Sequence, residues 1–411
     1  MDYYDKITNR YLEILETRNC YYQLKIEILS AFESAVGEIV KDISRNTEGQ
    51  LNVNYQQLSR RSCNITLANV ENRYLPSLNQ WYWIGRKFKL YIGVRDFSRD
   101  DNYWFSQGVF YTLDANNEGH TLSLSGVDKG NALTGELKLN ALAEKNIIEV
   151  GNSISRLIRQ TLSLNDGVNV LDPVMPIIDK QFEDIKIERQ IEINEGEYIG
   201  TLFTQIADSY GSDIYYDANG RLTVEAAIDL VGWNQYDRYG CLYTFTDDTI
   251  EVGSMSVSYS FAPINTITVF TNITAKDENN EDVENVSYTA YNTNALSPLN
   301  IKTTGIRRAE SVEVAYIDKF TKEEMTERCK QIARYYLLKE SIEKSTLSFN
   351  TIIVPHLDVN KVIGVTNKMF AMNNERCIID SLSLNLSSCT MTVSATRITV
   401  LPSDTQVEGV V

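Results

Sequence analysis

The chain has 411 residues, 43% of them hydrophobic and 23% charged, and a formal net charge of −16. That length exceeds one ordinary core, so two to four domains are expected, and the composition excludes a disordered chain. The acidic balance argues against gripping nucleic acid, where affinity comes from neutralising phosphates with Lys and Arg, and against docking on an anionic membrane.

Residues 1–16 are expected to form an N-terminal helix or arm, with Ile7, Tyr11 and Ile14 or Leu15 near one face. Strands follow wherever apolar residues alternate with polar ones. Tyr22, Leu24, Ile26 and Ile28 make the first, Leu51, Val53 and Tyr55 another, and Cys63, Ile65 and Leu67 a third. Phe88, Leu90 and Ile92 continue the set, and segments from Trp104 and Thr121 complete it. Strands at this spacing suggest a first β-barrel or sandwich over 17–130. Residues 131–185 read as a helical insert, with a helix from Ser153 to Leu162 before Pro173 and Pro176. A small α+β module spans 186–250: a strand over 185–193, a helix from Gly200 stopped by Gly211, and a hairpin whose Asn219-Gly220 suits a type I′ turn. Strands near 251–271 and 345–400 are expected to make a second barrel. An insert over 272–344 carries a polar hairpin tip and the longest helix, Glu323 to Lys344, with Met325, Cys329, Ile332, Ala333, Tyr336 and Leu337 on one side. Residues 401–411 read as a flexible tail. The fold class is therefore α+β, mostly β, with two tube-type barrel or sandwich domains flanking the α+β module and the helical insert.

Little of this pattern points to chemistry. His120 and His356 are far apart in strand or turn contexts, so neither a triad nor a multi-His metal site is expected. Ser125 lacks a G-x-S-x-G setting, and no phosphate-binding glycine motif occurs. Asp277, Asn279, Glu281 and Asp282 could offer oxygen ligands but lack an EF-hand's spacing, so a solvated loop is the expectation. Asp247 and Asp248 form one of many carboxylate pairs and carry no weight. Trp81, Tyr82, Trp83, Tyr103 and Trp104 are expected in barrel packing, with a carbohydrate surface as the alternative. Arg60-Arg61 and Arg307-Arg308 read as rim or interface salt bridges. Cys20, Cys63, Cys241, Cys329, Cys377 and Cys389 read as small buried hydrophobes. The N-terminus lacks a basic segment before an apolar core, so no signal peptide is expected; nor is a membrane segment. The sequons at Asn64, Asn272, Asn285 and Asn385 are then expected to carry no glycan. No catalytic, cofactor or metal residue is assigned, and a structural protein is the expectation.

The order of several short motifs resembles the baseplate hub proteins of contractile phage tails and phage-tail-like particles. At the C-terminal end these are Leu357-Asp358-Val359, Asn374-Glu375-Arg376, Ile379 to Ser383 and Met391 to Thr396. Earlier they are Arg61 to Leu67, Lys87 to Leu90, Gln107 to Phe110, Gly126 to Lys129, Ile206 to Gly211 and Asp217 to Leu222. The resemblance implies a homotrimer forming a pseudo-sixfold ring that joins a hexameric tail tube protein to a trimeric spike protein. It also implies baseplate wedge and tape-measure proteins as neighbours, a lumen through which DNA passes without being held, and no membrane segment. The expected location is the tail baseplate, assembled in a bacterial host cytoplasm. The segment from Asp404 to Val411 leaves no room for a lytic domain such as some relatives carry. Two alternatives stay open: a carbohydrate-binding or glycan-degrading tail component using the Trp81–Trp104 region, and a tail-tip ring joining tube to baseplate.

Overall fold

The computed structural model describes residues 6–17, 20–43, 46–56, 58–70, 74, 85–135, 146–148, 151–163, 172–187, 191–193, 196–210, 212–226, 240–259, 264–271, 285–295, 297, 299–314, 321–341, 343–400 and 407–410. It divides into two compact units, Met1–Ala227 with Cys241–Ser256 and Ser348–Ala395, and Ile228–Gly240 with Val257–Leu347 and Thr396–Val411.

Helix α1 (Asn9–Glu16) starts where the Thr8 hydroxyl accepts from the Tyr11 amide, and it buries Tyr11 and Leu15. Seven strands follow: β1 (Tyr22–Leu29), β2 (Ala35–Asp42), β3 (Thr47–Asn54), β4 (Arg61–Ala68), β5 (Lys87–Asp96), β6 (Asp101–Glu118) and β7 (Thr121–Asp128). Next come α2 (Asn131–Thr134), β8 (Asn146–Ile148), α3 (Ile154–Leu162), β9 (Ile177–Ile178) and α4 (Lys180–Glu183). After them are β10 (Ile191–Ile193), α5 (Ile199–Tyr210), β11 (Ser212–Tyr216), β12 (Leu222–Ala226) and β13 (Thr244–Phe245). The chain continues through β14 (Ser256–Tyr259), β15 (Thr266–Thr271), β16 (Ser287–Asn292), α6 (Ile301–Thr304), β17 (Ala309–Val314) and α7 (Lys322–Glu340). It ends with β18 (Glu343–Ile352), β19 (Val362–Asn367), β20 (Met372–Asn385), β21 (Thr390–Val400) and β22 (Val407–Val410). The protein is thus mostly β, of the α+β class.

In the larger unit one antiparallel sheet runs β20-β3-β4-β7-β6-β5-β1-β2. Period-two alternation puts Leu24, Ile26 and Ile28 on the core side with Phe88, Leu90 and Ile92. Leu382 and Leu384 pair with Val53 and Leu51, so the C-terminal strands join the N-terminal set in one ladder. A separate core joins α3, β9 and α4 of the 131–185 segment to the α+β module, which takes them in: Ile158, Phe182, Phe203, Ile206 and Leu222 pack together, and Leu58 and Leu133 enter from the flanking segments. The hairpin between β11 and β12 differs from the expected type I′ turn. Gly220 has φ +77° but Asn219 does not have positive φ, and the Gly220 amide bonds the Asp217 carbonyl at 2.9 Å. The Asp217 carboxylate accepts from the Asn219 and Arg221 amides at 2.8 and 2.9 Å, which fixes this longer loop.

In the smaller unit a four-stranded sheet runs β17-β15-β16-β22. Ile267, Val269, Tyr288 and Ala290 pack against Met325, Cys329, Ala333 and Leu337 of α7, the helix face read from the sequence. That helix opens on a capping box: the Thr321 hydroxyl accepts from the Glu324 amide, and the Glu324 carboxylate from the Thr321 amide. Thr266–Thr271 therefore belongs to this sheet, although the sequence grouped 251–271 with 345–400. Val407–Val410, within the expected tail, pairs with β16. Both placements depend on which backbone edge is free to accept a ladder, and that does not show in the local pattern. No helix among the described residues is long and apolar enough to cross a membrane.

Candidate functional site

A dense polar arrangement among the described residues of the larger unit lies where the α+β module meets the large sheet. It forms around Arg60 and Arg61, at the start of β4, and Asp128, at the end of the neighbouring β7. One Asp128 oxygen accepts from the Arg60 and Arg61 amides at 2.6 and 2.8 Å, and the other from the Gly130 amide at 3.0 Å. Close approach requires Gly130, because a Cβ there would stand 2.2 Å from the Leu58 carbonyl oxygen.

The Arg61 guanidinium donates to the Tyr216 carbonyl at 2.8 Å and pairs with Asp358. Burial alone would lower its pKa, but Asp358 and Asp128 outweigh burial and hold it above its usual value. The Arg60 guanidinium lies over Tyr215, 3.5 Å from the ring centroid, and 5.0 Å from that of Tyr55. Its Nε donates to the Gln56 carbonyl at 2.8 Å, and Nη2 lies 3.8 Å from Asp213. Asp213 also accepts from the Tyr55 hydroxyl at 2.8 Å and the Asn360 side-chain Nδ2 at 2.5 Å. Burial pushes the Asp213 carboxyl up against the pull of Arg60. At the edge, Lys361 bridges both Glu225 oxygens at 3.0 and 3.2 Å.

A second chain of charges runs parallel to this one. Lys129 reaches Asp172 at 2.8 Å, the Gly220 carbonyl at 2.9 Å and Glu33 at 2.7 Å, and Glu33 also pairs with Lys87. Burial pushes the Glu33 carboxyl up, but Lys129 and Lys87 outweigh it and hold it below the usual range. The Tyr216 hydroxyl donates to the remaining Asp172 oxygen at 2.8 Å. Alternating charge makes this a positioning network, in which each group fixes the next.

Of the two sequence readings for this pair, rim or interface salt bridges, burial corrects the rim: Arg60 and Arg61 are 2% and 4% exposed. Their partners Asp213 and Asp358 come from far along the chain, so spacing could not reveal them. Arg307 fits the surface reading better, lying exposed 5.6 Å from the Tyr291 ring.

His356 is 0% exposed. Its Nδ1 stands 2.9 Å from the Tyr11 hydroxyl and its Nε2 3.3 Å from the Leu242 carbonyl. A carbonyl only accepts, so Nε2 carries the proton and Nδ1 accepts from Tyr11. Burial pulls the His356 pKa down to about 4. This imidazole docks α1 on the sheet, beside Tyr103 and Phe105, whose rings pack at a tilt against Tyr11 with centroids 5.5 and 4.8 Å away. His120 is exposed in the β6–β7 turn, and Ser125 sits half-exposed in β7. Asp247 and Asp248 occupy an exposed turn, where Asp247 accepts from the Lys368 amide at 3.3 Å.

The Trp104 indole lies flat on Gly93, where a Cβ would meet the ring at 2.7 Å. Lys25 lies 5.4 Å from the Trp104 centroid and 4.2 Å from that of Tyr91. Gly93→Ala is expected to displace the indole and cost about 1–2 kcal/mol, seen as a lower urea midpoint with a shifted tryptophan emission. Trp81, Tyr82, Trp83, Asn272, Asp277, Asn279, Glu281 and Asp282 lie outside the described residues. Of the cysteines, Cys63, Cys329 and Cys377 are buried, but Cys20 and Cys389 are half-buried and Cys241 is exposed, a correction to the uniform core reading. Among the described residues no three His, Cys, Asp or Glu side chains gather to hold a metal ion.

Residues 297–401 match a family described as a domain of unknown function (DUF5048). No curated protein matches this chain in sequence. A tail protein from Neisseria meningitidis MC58 is similar in structure, with TM-score 0.57 and 11% identity over 92% of this chain and 96% of that one. The 43 kDa tail protein of prophage MuSo2 from Shewanella oneidensis gives TM-score 0.52 and 12% identity over 91% and 96%. A chain of the half-lidded Francisella PdpA–VgrG complex gives TM-score 0.51 and 10% identity over 96% of this chain and 61% of that one. Nearly the whole chain therefore carries the fold seen in phage tail proteins, and the resemblance read from its motifs holds at the level of the fold.

Proposed function

We propose that this chain is a non-enzymatic structural component of a phage tail or phage-tail-like particle, specifically the baseplate hub. In this reading three copies form a ring that joins the hexameric tail tube to the trimeric spike and lines the channel for DNA. Wedge and tape-measure proteins are its other neighbours. The strand-rich parts 17–130 and 345–400 supply its tube-like walls. The observation that carries the reading is the fold similarity to the Neisseria tail protein, which extends over 92% of this chain. Two features of the larger unit agree with it. The conspicuous charged side chains, Arg60, Arg61 and Asp213, are spent on holding one part of the chain to another. The Trp104 face, which a glycan-binding role would use, is occupied by Gly93 and Lys25.

The test is co-expression with the tail tube and spike proteins of the same particle, followed by mass measurement and negative-stain imaging. Threefold rings capped by spike are the expected result. A chain that stays monomeric beside both partners, or that hydrolyses glycan, would overturn the assignment.

A further inference from the structure

We infer that the joint between the α+β module and the large sheet is a releasable latch whose pin is Asp213, with the module as the moving part. The module has its own apolar core, through α3, α4, α5, β9, β11 and β12, and Leu58 and Leu133 reach into it from the flanking segments. Opening the joint would withdraw Leu58 and Leu133 and leave the remaining side chains of that core packed on one another. What closes the joint is largely polar. Asp213, on the module strand β11, receives Tyr55, Asn360 and Arg60 from two separate stretches of the sheet side. Asp213 thus gathers three contacts on one carboxylate, beside the links that Arg61 makes to the Tyr216 carbonyl and Lys129 to Asp172 and the Gly220 carbonyl.

The Arg60 terminal nitrogens are the second observation. Nη1 and Nη2 are buried with no hydrogen-bond partner, and the guanidinium is held by the faces of Tyr55 and Tyr215 and by the charge of Asp213. Buried donors left unpaired are costly, and water relieves them once the joint opens. The closed state therefore holds a cost that the open state lacks. The charged and titratable groups facing Asp213 are Arg60, Tyr55 and Tyr215, with Glu225 and Lys361 beyond them. The Lys361–Glu225 pair sits half-exposed at the edge, where solvent would enter first.

The test is amide hydrogen exchange on the full chain at neutral pH, comparing the natural protein with Asp213→Asn. Exchange in β11, β12 and α5 is expected to rise about tenfold while β5, β6 and β7 keep their rates, because local opening is read segment by segment. Tyr55→Phe, which keeps every charge and removes one hydrogen bond to Asp213, is expected to give the same selective pattern at about threefold. It decides the matter if Asp213→Asn does not fold. Unchanged rates in both variants, or a rise shared equally by module and sheet, would overturn the latch, since module and sheet would then open as one cooperative unit.

Discussion

Asp128→Ala is expected to lower the stability of the larger unit by about 3–5 kcal/mol, the range for removing one partner of a buried charged pair. The loss has two sources. Three backbone amides, of Arg60, Arg61 and Gly130, donate to this carboxylate and would be left without an acceptor. Each buried, unpaired amide costs about 1–3 kcal/mol, although relaxation keeps the sum below simple addition. The Arg61 guanidinium would also lose one of the two carboxylates that keep it charged in the interior. Asp128→Asn keeps an acceptor and removes the charge, so it should fall between the natural protein and the alanine variant. Urea unfolding of all three measures the ordering. A loss under about 1 kcal/mol for Asp128→Ala would mean that water replaces the carboxylate, and the site would not be closed as described.

The second large effect depends on pH. His356 has a folded pKa of about 4, against an ordinary value near 6.5, because burial disfavours its charged form. The unfolded chain therefore binds a proton on this residue before the folded one does. Stability from this group is complete above about pH 6.5 and is lost as pH falls toward about 4, by roughly 3 kcal/mol in all. A proton on Nδ1 also removes the acceptor that Tyr11 uses, so α1 should loosen first. His356→Gln offers an amide hydrogen to Leu242 and an oxygen to Tyr11 without a titrating group. Unfolding free energies at pH 7.5 and 4.5 should then show a steeper acid loss in the natural protein than in the variant. Equal losses would assign the acid sensitivity to the carboxylates instead.

Much of the secondary structure was legible because burial imprints a period on the sequence. The alternations of β1, β4, β5 and β20 and the helix face of α7 appeared as written. β2 escaped notice: Ala35-Val-Gly-Glu-Ile-Val-Lys-Asp42 buries Ile39 at a sheet edge and leaves Val36 and Val40 exposed, so it shows no one-sided alternation. The hairpin at 217–220 was legible but its turn type was not, because an Asp carboxylate, rather than a second positive φ, fixes it.

The polar joint was hidden for a different reason. Arg60-Arg61 looks like any exposed basic pair until Asp128, Asp213 and Asp358 are brought to it, and nothing in the local run of residues announces their arrival. The same holds for strand order: Ser383 meets Asn52 across 331 positions, and a backbone ladder is nearly blind to which sequence lies opposite. By itself, then, the sequence determined where strands, helices and most turns lie, since each records one face of burial. Only the tertiary structure decided which strands are neighbours and which charges leave water, because burial of a charge depends on partners that distant segments supply.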